Sequence, residues 1–168
     1  MGQIPELAWI AEARRHIGQR EIPGNKHNPW IVGLWAAIGV SWFKDDETPW
    51  CAGFVAYCLK KVYRPILGPA SVGRALAWAD YGVKLDRPAY GCPAIKTRNG
   101  GGHVGFVVGR DKQGRLMVLG GNQDNSVSIA PYNELVFQSF RWPSIYPTAA
   151  RFDLPVLQSN GKSVMSEA

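Results

Sequence analysis

The sequence has few of the features that mark membrane-spanning, exported or disulfide-stabilised proteins. Its longest apolar stretch, residues 30–40, contains two glycines and is well short of the ~20 residues that span a bilayer. Glu6 and Glu12 lie where a signal peptide would have its apolar core, so no secretory signal is expected. The three cysteines cannot all pair and lack the close spacing of a disulfide framework. This indicates synthesis in a reducing compartment.

The charge pattern indicates an anionic partner but not a nucleic acid. The net charge is +6 and the pI is about 9.4, which favours anionic partners. The basic residues are scattered rather than gathered among aromatic residues, so no nucleic-acid footprint is predicted. A chain of 168 residues fits one core. We therefore expect a monomeric single domain over residues 1–150 and a polar, flexible tail over residues 151–168.

The hydrophobic periodicity predicts helices first and an antiparallel sheet afterwards. Apolar residues at helical spacing and Pro, Ser, Thr and Gly boundary signals predict four helices, at residues 5–18, 31–39, 48–62 and 71–80. Short β-branched or aromatic runs separated by turn residues predict strands at residues 103–109, 115–120, 126–130 and 135–142. This order predicts an α+β fold with the N-terminal helices packed on a small antiparallel β-sheet.

Cys51 is the candidate nucleophile. In the segment "TPWCAGFVAYCL", Thr48 suits the N-cap position and Pro49 the first helical position, which would place Cys51 at the third. Unpaired N–H groups and the helix dipole favour a thiolate there, and the N–H of Cys51 is a candidate oxyanion donor. Cys58 lies two turns further along the apolar face and is interpreted as a core residue.

His103 is the candidate base, and one of two amide residues is the candidate third member. His103 follows three glycines and opens the strand "HVGFVVG". If the turn "DKQG" is a two-residue loop, His103 faces Asn122; if it is a three-residue bulged loop, His103 faces Gln123. Either amide would orient the imidazole. Trp50 and Gly102, which adjoin Cys51 and His103, are candidate substrate-binding residues.

A zinc site is the competing interpretation of the same residues. Cys51, Cys58, Cys92 and His103 supply ligand types that zinc accepts, but no pair has the short spacing of a structural zinc site. The prediction is therefore a site without metal or cofactor. The segment "GGNQDN" also suits a simple turn.

The motifs "TPWCAGFVAYCL", "GHVGFVVG" and "VLGGNQDNSVSI", in this order and with the upstream segment "EIPGNKHNPWI", resemble papain-like cell-wall hydrolases of the NlpC-like and CHAP type. The resemblance covers about residues 9–142. It implies a papain-like fold and cleavage of an amide bond in peptidoglycan stem peptides, by an endopeptidase or amidase of the phage-lysin or wall-targeting-effector kind. Cys51 would be the nucleophile, His103 the base and then the acid, and Asn122 the preferred orienting residue, with Gln123 as the alternative. Where members often carry an acidic residue before the histidine strand, this chain has Cys92.

Two other functions are compatible with the sequence. The tryptophan content and positive charge also suit a non-catalytic or inhibitory wall-binding module, and the same triad would serve acyl transfer to an acceptor other than water. For the hydrolase, we expect synthesis in the bacterial cytoplasm without a signal peptide and action in the periplasm or cell wall after release or secretion.

Overall fold

The computed structural model describes residues 5–62, 66–143, 151–158 and 160. Among these residues it has three α-helices, two short 3-10 helices and six β-strands. The α-helices are α1 (Ala8–Arg15), α2 (Pro29–Ala37) and α3 (Cys51–Lys60), and the 3-10 helices are Ala75–Asp80 and Glu134–Val136. The strands are β1 (Val83–Leu85), β2 (Pro93–Arg98), β3 (Gly101–Arg110), β4 (Leu116–Gln123), β5 (Ser126–Tyr132) and β6 (Ser139–Trp142). The predicted α+β arrangement is confirmed.

The six strands form one antiparallel sheet in the order β1-β6-β2-β3-β4-β5. Helix α3 packs against β3 and β4 in the middle of this sheet. Close contact is possible because β4 carries Gly121 under the start of the helix. A Cβ atom at Gly121 would lie 2.6 Å from the Trp50 ring and 2.8 Å from the Phe54 Cβ. The first turn of α3 is therefore held directly against the central strands.

The start of α3 differs from the prediction by two residues. Trp50, not Thr48, is the N-cap residue, so Cys51 is the first residue of the helix. The backbone N–H of Thr48 instead donates to Asp45 Oδ1 (2.6 Å), in a loop that precedes the helix. The expectation of Cys51 at the third helical position is wrong. The thiol still belongs to the first turn, where backbone N–H groups have no acceptor within the helix.

The remaining elements follow the prediction in part. The predicted fourth helix is a 3-10 helix that begins only at Ala75. Strands β1 and β2 were not predicted, because "GCPAIK" looks like a turn; here the turn ends at Cys92 and Pro93 begins β2. The predicted last strand is shorter than expected, because Glu134–Val136 is helical before β6 begins.

Part of the predicted C-terminal tail is packed against the fold. Val156 forms a parallel bridge with Arg110, and the backbone N–H of Arg110 donates to Pro155 O (2.8 Å). Leu157 is buried, and the Phe152 ring lies 4.5 Å from the Arg87 guanidinium carbon. Residues within 151–157 of the predicted tail therefore contact the domain, and the flexibility of the tail stays a prediction. Residues 161–168 lie outside the described residues.

Within the described part of the chain, no helix is long and apolar enough to cross a membrane. The buried core contains Trp9, Trp35, Trp50 and Trp78, none of which is exposed. Most of the tryptophans therefore serve as packing residues, while Trp42 is 60% exposed.

Candidate active site

The hairpin between β3 and β4 combines both predicted registers. Gly114 has φ +82°, and its N–H donates to Asp111 O (3.0 Å), as expected of a bulged three-residue loop. Arg110 accordingly pairs with Leu116. A bulge between Val107 and Gly109 then shifts the register, so that Phe106 pairs with Leu119. Continued without change, that second register would set His103 opposite Asn122.

A second irregularity, in β4, changes which amide reaches the histidine. The pairing of β4 with β5 shifts between Gly120 and Gln123, and Asn122 has φ +56°. Asn tolerates this left-handed conformation better than most residues. Asp124 and Asn125 follow with φ +53° and +57° and form the tight turn into β5. The bulge at Asn122 therefore redirects the side chain of Gln123.

The side-chain amide of Gln123 is held in a single orientation. Its Nε2 donates to Val118 O (3.0 Å) and to Ser128 O (2.8 Å), both of which are carbonyl oxygens and can only accept. The amide nitrogen is therefore fixed on that side, and Oε1 faces the opposite way. Gly120 leaves the space for this arrangement, since a Cβ there would lie 2.9 Å from Gln123 Oε1.

Gln123 Oε1 determines the protonation of the His103 ring. It lies 3.0 Å from His103 Nε2 and also accepts a hydrogen bond from the Tyr132 hydroxyl (3.1 Å). Because Oε1 only accepts, Nε2 must carry the proton. The neutral imidazole therefore keeps its lone pair on Nδ1, which is the atom available to act as a base.

Asn122 does not occupy the place expected of it. Among the described residues, the amide that hydrogen-bonds the His103 ring is that of Gln123. The preference for Asn122 is corrected, because the β4 bulge rotates the two neighbouring side chains relative to a regular strand. Gln123, the alternative third member, makes the contact. Its catalytic role, like those of Cys51 and His103, stays a prediction.

The Cys51 thiol lies against the main chain on both sides of His103. Its Sγ is 4.0 Å from Gly102 O, and the backbone N–H of Val104 interacts with the sulfur. The N–H groups of Ala52 and Cys51 at the helix start also act to lower the pKa of this thiol. The start of α3 and the start of β3 are thus brought together at one point.

Burial, however, keeps both reactive groups neutral in the resting protein. Cys51 is only 2% exposed, and burial raises the pKa of its thiol despite the helix-start N–H groups and the positive charge of Arg98. Burial likewise lowers the pKa of His103 to about 4, opposed by the hydrogen bond to Gln123. The expectation that the helix start lowers the pKa of Cys51 is therefore wrong for the free protein. Desolvation outweighs the helix-start effect.

The two candidate substrate-binding residues have different surroundings. Trp50 is fully buried, and its indole N–H donates to Glu21 Oε1 (2.9 Å), so its side chain is a packing residue rather than a groove wall. Gly102 is half-buried, and a Cβ there would lie 2.5 Å from Leu76 Cδ2. Substitution at Gly102 would displace Leu76, which is 39% exposed.

Three residues near His103 were not identified from the sequence. The Tyr132 ring stacks on His103 at 5.9 Å, and Lys96 Nζ lies 5.7 Å from the centre of the Tyr132 ring. Lys96 pairs directly with His103 across the β2–β3 ladder, and Arg98 follows two residues later. The alternating pattern of β2 could have indicated the two cations. Tyr132 was assigned to a turn and gave no signal.

The described residues contain no group of three or more His, Cys, Asp or Glu side chains that could hold a metal ion. Cys58 and Cys92 are free and buried, and burial raises the pKa of both thiols. They are core residues of the kind expected for Cys58.

The burial of His103 leads to a prediction about stability and pH. Above pH 6.5 the ring is neutral in both the folded and the unfolded state, so it does not make the unfolding free energy depend on pH. Between pH 6.5 and about 4, only the unfolded state binds the proton, so the folded state loses stability as the pH falls. We expect this to cost at most about 3 kcal/mol of unfolding free energy.

Urea unfolding at pH 7.5 and pH 4 would measure this cost in the native protein and in His103→Gln. The variant should gain about 3 kcal/mol relative to the native protein on acidification. His27→Gln is the matched control. The hydrogen bond to Asp46 raises the pKa of His27, so acidification should lower the stability of this variant relative to the native protein, which is the opposite of the effect expected for His103→Gln. An identical pH dependence of the native protein and His103→Gln would contradict the prediction.

The comparisons with known proteins agree with this geometry. A family model described as the CHAP domain matches residues 43–122. The match includes Cys51 and His103 and ends one residue before Gln123. Neither the search of curated proteins nor the search of solved structures found a match. Residues 43–122 are therefore similar to the CHAP domain, a family of peptidoglycan hydrolase domains.

Proposed function

We propose that this protein is a cysteine hydrolase that cleaves an amide bond in the stem peptides of bacterial peptidoglycan, as an endopeptidase or amidase. The observation that carries the proposal is the hydrogen bond that His103 Nε2–H donates to Gln123 Oε1 (3.0 Å). This hydrogen bond leaves the lone pair on Nδ1 as the base, and Gly102 O, in the residue before His103, lies 4.0 Å from the Cys51 thiol. A nucleophile, a base and an orienting amide are the parts that a cysteine hydrolase needs.

The neutral resting state determines how the reaction would begin. Because burial raises the pKa of Cys51 and lowers that of His103, the thiol proton would move to Nδ1 as the sulfur attacks the amide carbonyl. The first N–H groups of α3, from Cys51 onward, would stabilise the oxyanion. The imidazolium would then protonate the leaving amine, and water would hydrolyse the thioester with His103 as the base.

A non-catalytic wall-binding or inhibitory module is the second candidate. One observation favours it, namely the burial of Cys51, which is 2% exposed. A thiol so covered, with a raised pKa, reacts slowly with soluble reagents whether or not it is catalytic. Turnover, rather than alkylation, therefore distinguishes the two functions.

Digestion of purified peptidoglycan tests the proposal. We expect the native protein to release new amino termini without new reducing sugar ends, because an amide and not a glycosidic bond is cut. Mass spectrometry of the soluble products would identify the bond. Walls of several stem-peptide compositions should be included. Binding to these walls without release from any of them would support the wall-binding module instead.

The proposed place of action is the periplasm or cell wall, reached by release on lysis or by secretion, as for a phage lysin or a wall-targeting effector. The net charge of +6 supports a substrate rich in anionic groups.

A further inference from the structure

Two cations lie on the His103 face of the sheet without an acidic partner. Lys96 is directly opposite His103 in the β2–β3 ladder, and directly opposite residues share a face. Arg98, two residues further along β2, projects from the same face. Among the described residues, neither side chain forms a salt bridge.

Contacts with Tyr132 place Lys96 beside the reactive residues. The Tyr132 ring stacks on His103 at 5.9 Å, and Lys96 Nζ lies 5.7 Å from the same ring. Lys96 is half-buried and Arg98 is exposed. The pair therefore runs from the covered part of the site outward to solvent.

Both cations act electrostatically on residues of the site. The charge of Arg98 acts on Cys51, His103 and Tyr132, and that of Lys96 acts on His103. Among the described residues, the charges that shift the pKa of His103 are those of Arg98 and Lys96. Two neighbouring cations without an acidic partner attract anions. A bound anion would also favour the imidazolium that the reaction forms.

We infer that Lys96 and Arg98 form a carboxylate-binding subsite, which recognises a free carboxylate of the stem peptide close to the scissile amide. This rests on the proposed function, because it names the part of the peptide that the hydrolase would recognise. Arg98 supplies the planar donor fork suited to a carboxylate, and Lys96 supplies a point charge.

The test uses soluble muropeptides released by a muramidase, in two forms: with free carboxylates, and with the carboxylates converted to primary amides. Such fragments carry no phosphate polymer, so any charge effect belongs to the peptide. We expect the native protein to have about a 10-fold lower kcat/KM on the amidated form. Arg98→Gln and Lys96→Gln should lose about 5- to 10-fold on the free form and little on the amidated one.

Lys112→Gln is the matched control. It removes the same charge from an exposed residue of the β3–β4 turn, at the other end of β3 from His103, and should leave both rates unchanged. Equal losses on the two forms, or no loss on either, would overturn the inference. A loss shared by the Lys112 variant would also overturn it, since net charge alone would then explain the effect.

A binding measurement separates this inference from the proposed function. Cys51→Ala, which cannot turn over the substrate, would be titrated with the two muropeptide forms, alone and combined with Arg98→Gln. Tighter binding of the free form that disappears with Arg98→Gln supports the subsite even if no wall is cleaved. Equal binding of both forms overturns the subsite even if the native protein proves to be a hydrolase.

Discussion

Replacing Cys51 with alanine is expected to reduce amide cleavage by about 10⁴-fold or more, with the fold retained. The thiol supplies the only atom that would form the covalent intermediate in the proposed reaction. Without it, the helix-start N–H groups and the bound peptide retain only a small residual effect. Initial rates of amino-terminus release from purified peptidoglycan would measure the loss.

Cys58→Ala is the matched control for this substitution. It removes the same atom from the same helix at a fully buried residue, where burial raises the thiol pKa well above its ordinary value. Cys58→Ala should lower the free energy of unfolding by up to a few kcal/mol, as truncation of a core side chain does, and leave kcat near the native value. Comparable losses of kcat in the two variants would contradict the assignment of Cys51.

The parts of the site that depend on local sequence could be predicted. The helix-borne Cys51 and the strand-opening His103 carry local signals, namely a Pro-containing helix start and a glycine run before a β-branched strand. The α+β order follows from the change in periodicity along the chain. These signals do not depend on how distant segments pack.

What could not be predicted depends on packing and on strand irregularities. The pKa of Cys51 is set by burial under the β3 backbone, and the sequence shows only the helix start. Strand β2 was missed because "GCPAIK" begins with turn residues, and with it Lys96 and Arg98 were missed. The packing of Leu157 against β3 is a long-range contact that the polar composition around it conceals.

The hydrogen bond from His103 to Gln123, rather than to the preferred Asn122, could not be predicted for a similar reason. The turn at Gly114 is bulged, which is one of the two alternatives that the sequence leaves open, but two later bulges, one in β3 and one in β4, also change the pairing. A single register rule cannot include irregularities whose location is set by the neighbouring strands. The positive φ of Asn122 (+56°) decides the outcome, and Asn is a residue type that permits it.

Gln123→Ala is therefore expected to lower kcat by about 10²- to 10⁴-fold, and Asn122→Gly to change it little. Glycine is chosen at residue 122 because it removes the amide and still suits φ +56°. Loss of Gln123 would free His103 Nε2 and allow the proton to move to Nδ1, which would remove the base. The effect should fall on kcat more than on KM.

Two measurements separate this orienting role from a structural one. Gln123 also ties Val118 O to Ser128 O through its Nε2, so unfolding must be followed in each variant. Nitrogen NMR of the His103 ring reports the tautomer directly: Nε2–H in the native protein, and a mixture in Gln123→Ala. Tyr132→Phe, which removes only the second donor to Oε1, should keep the native tautomer. A native tautomer and native kcat in folded Gln123→Ala, or a larger kcat loss in Asn122→Gly, would restore Asn122 as the orienting residue.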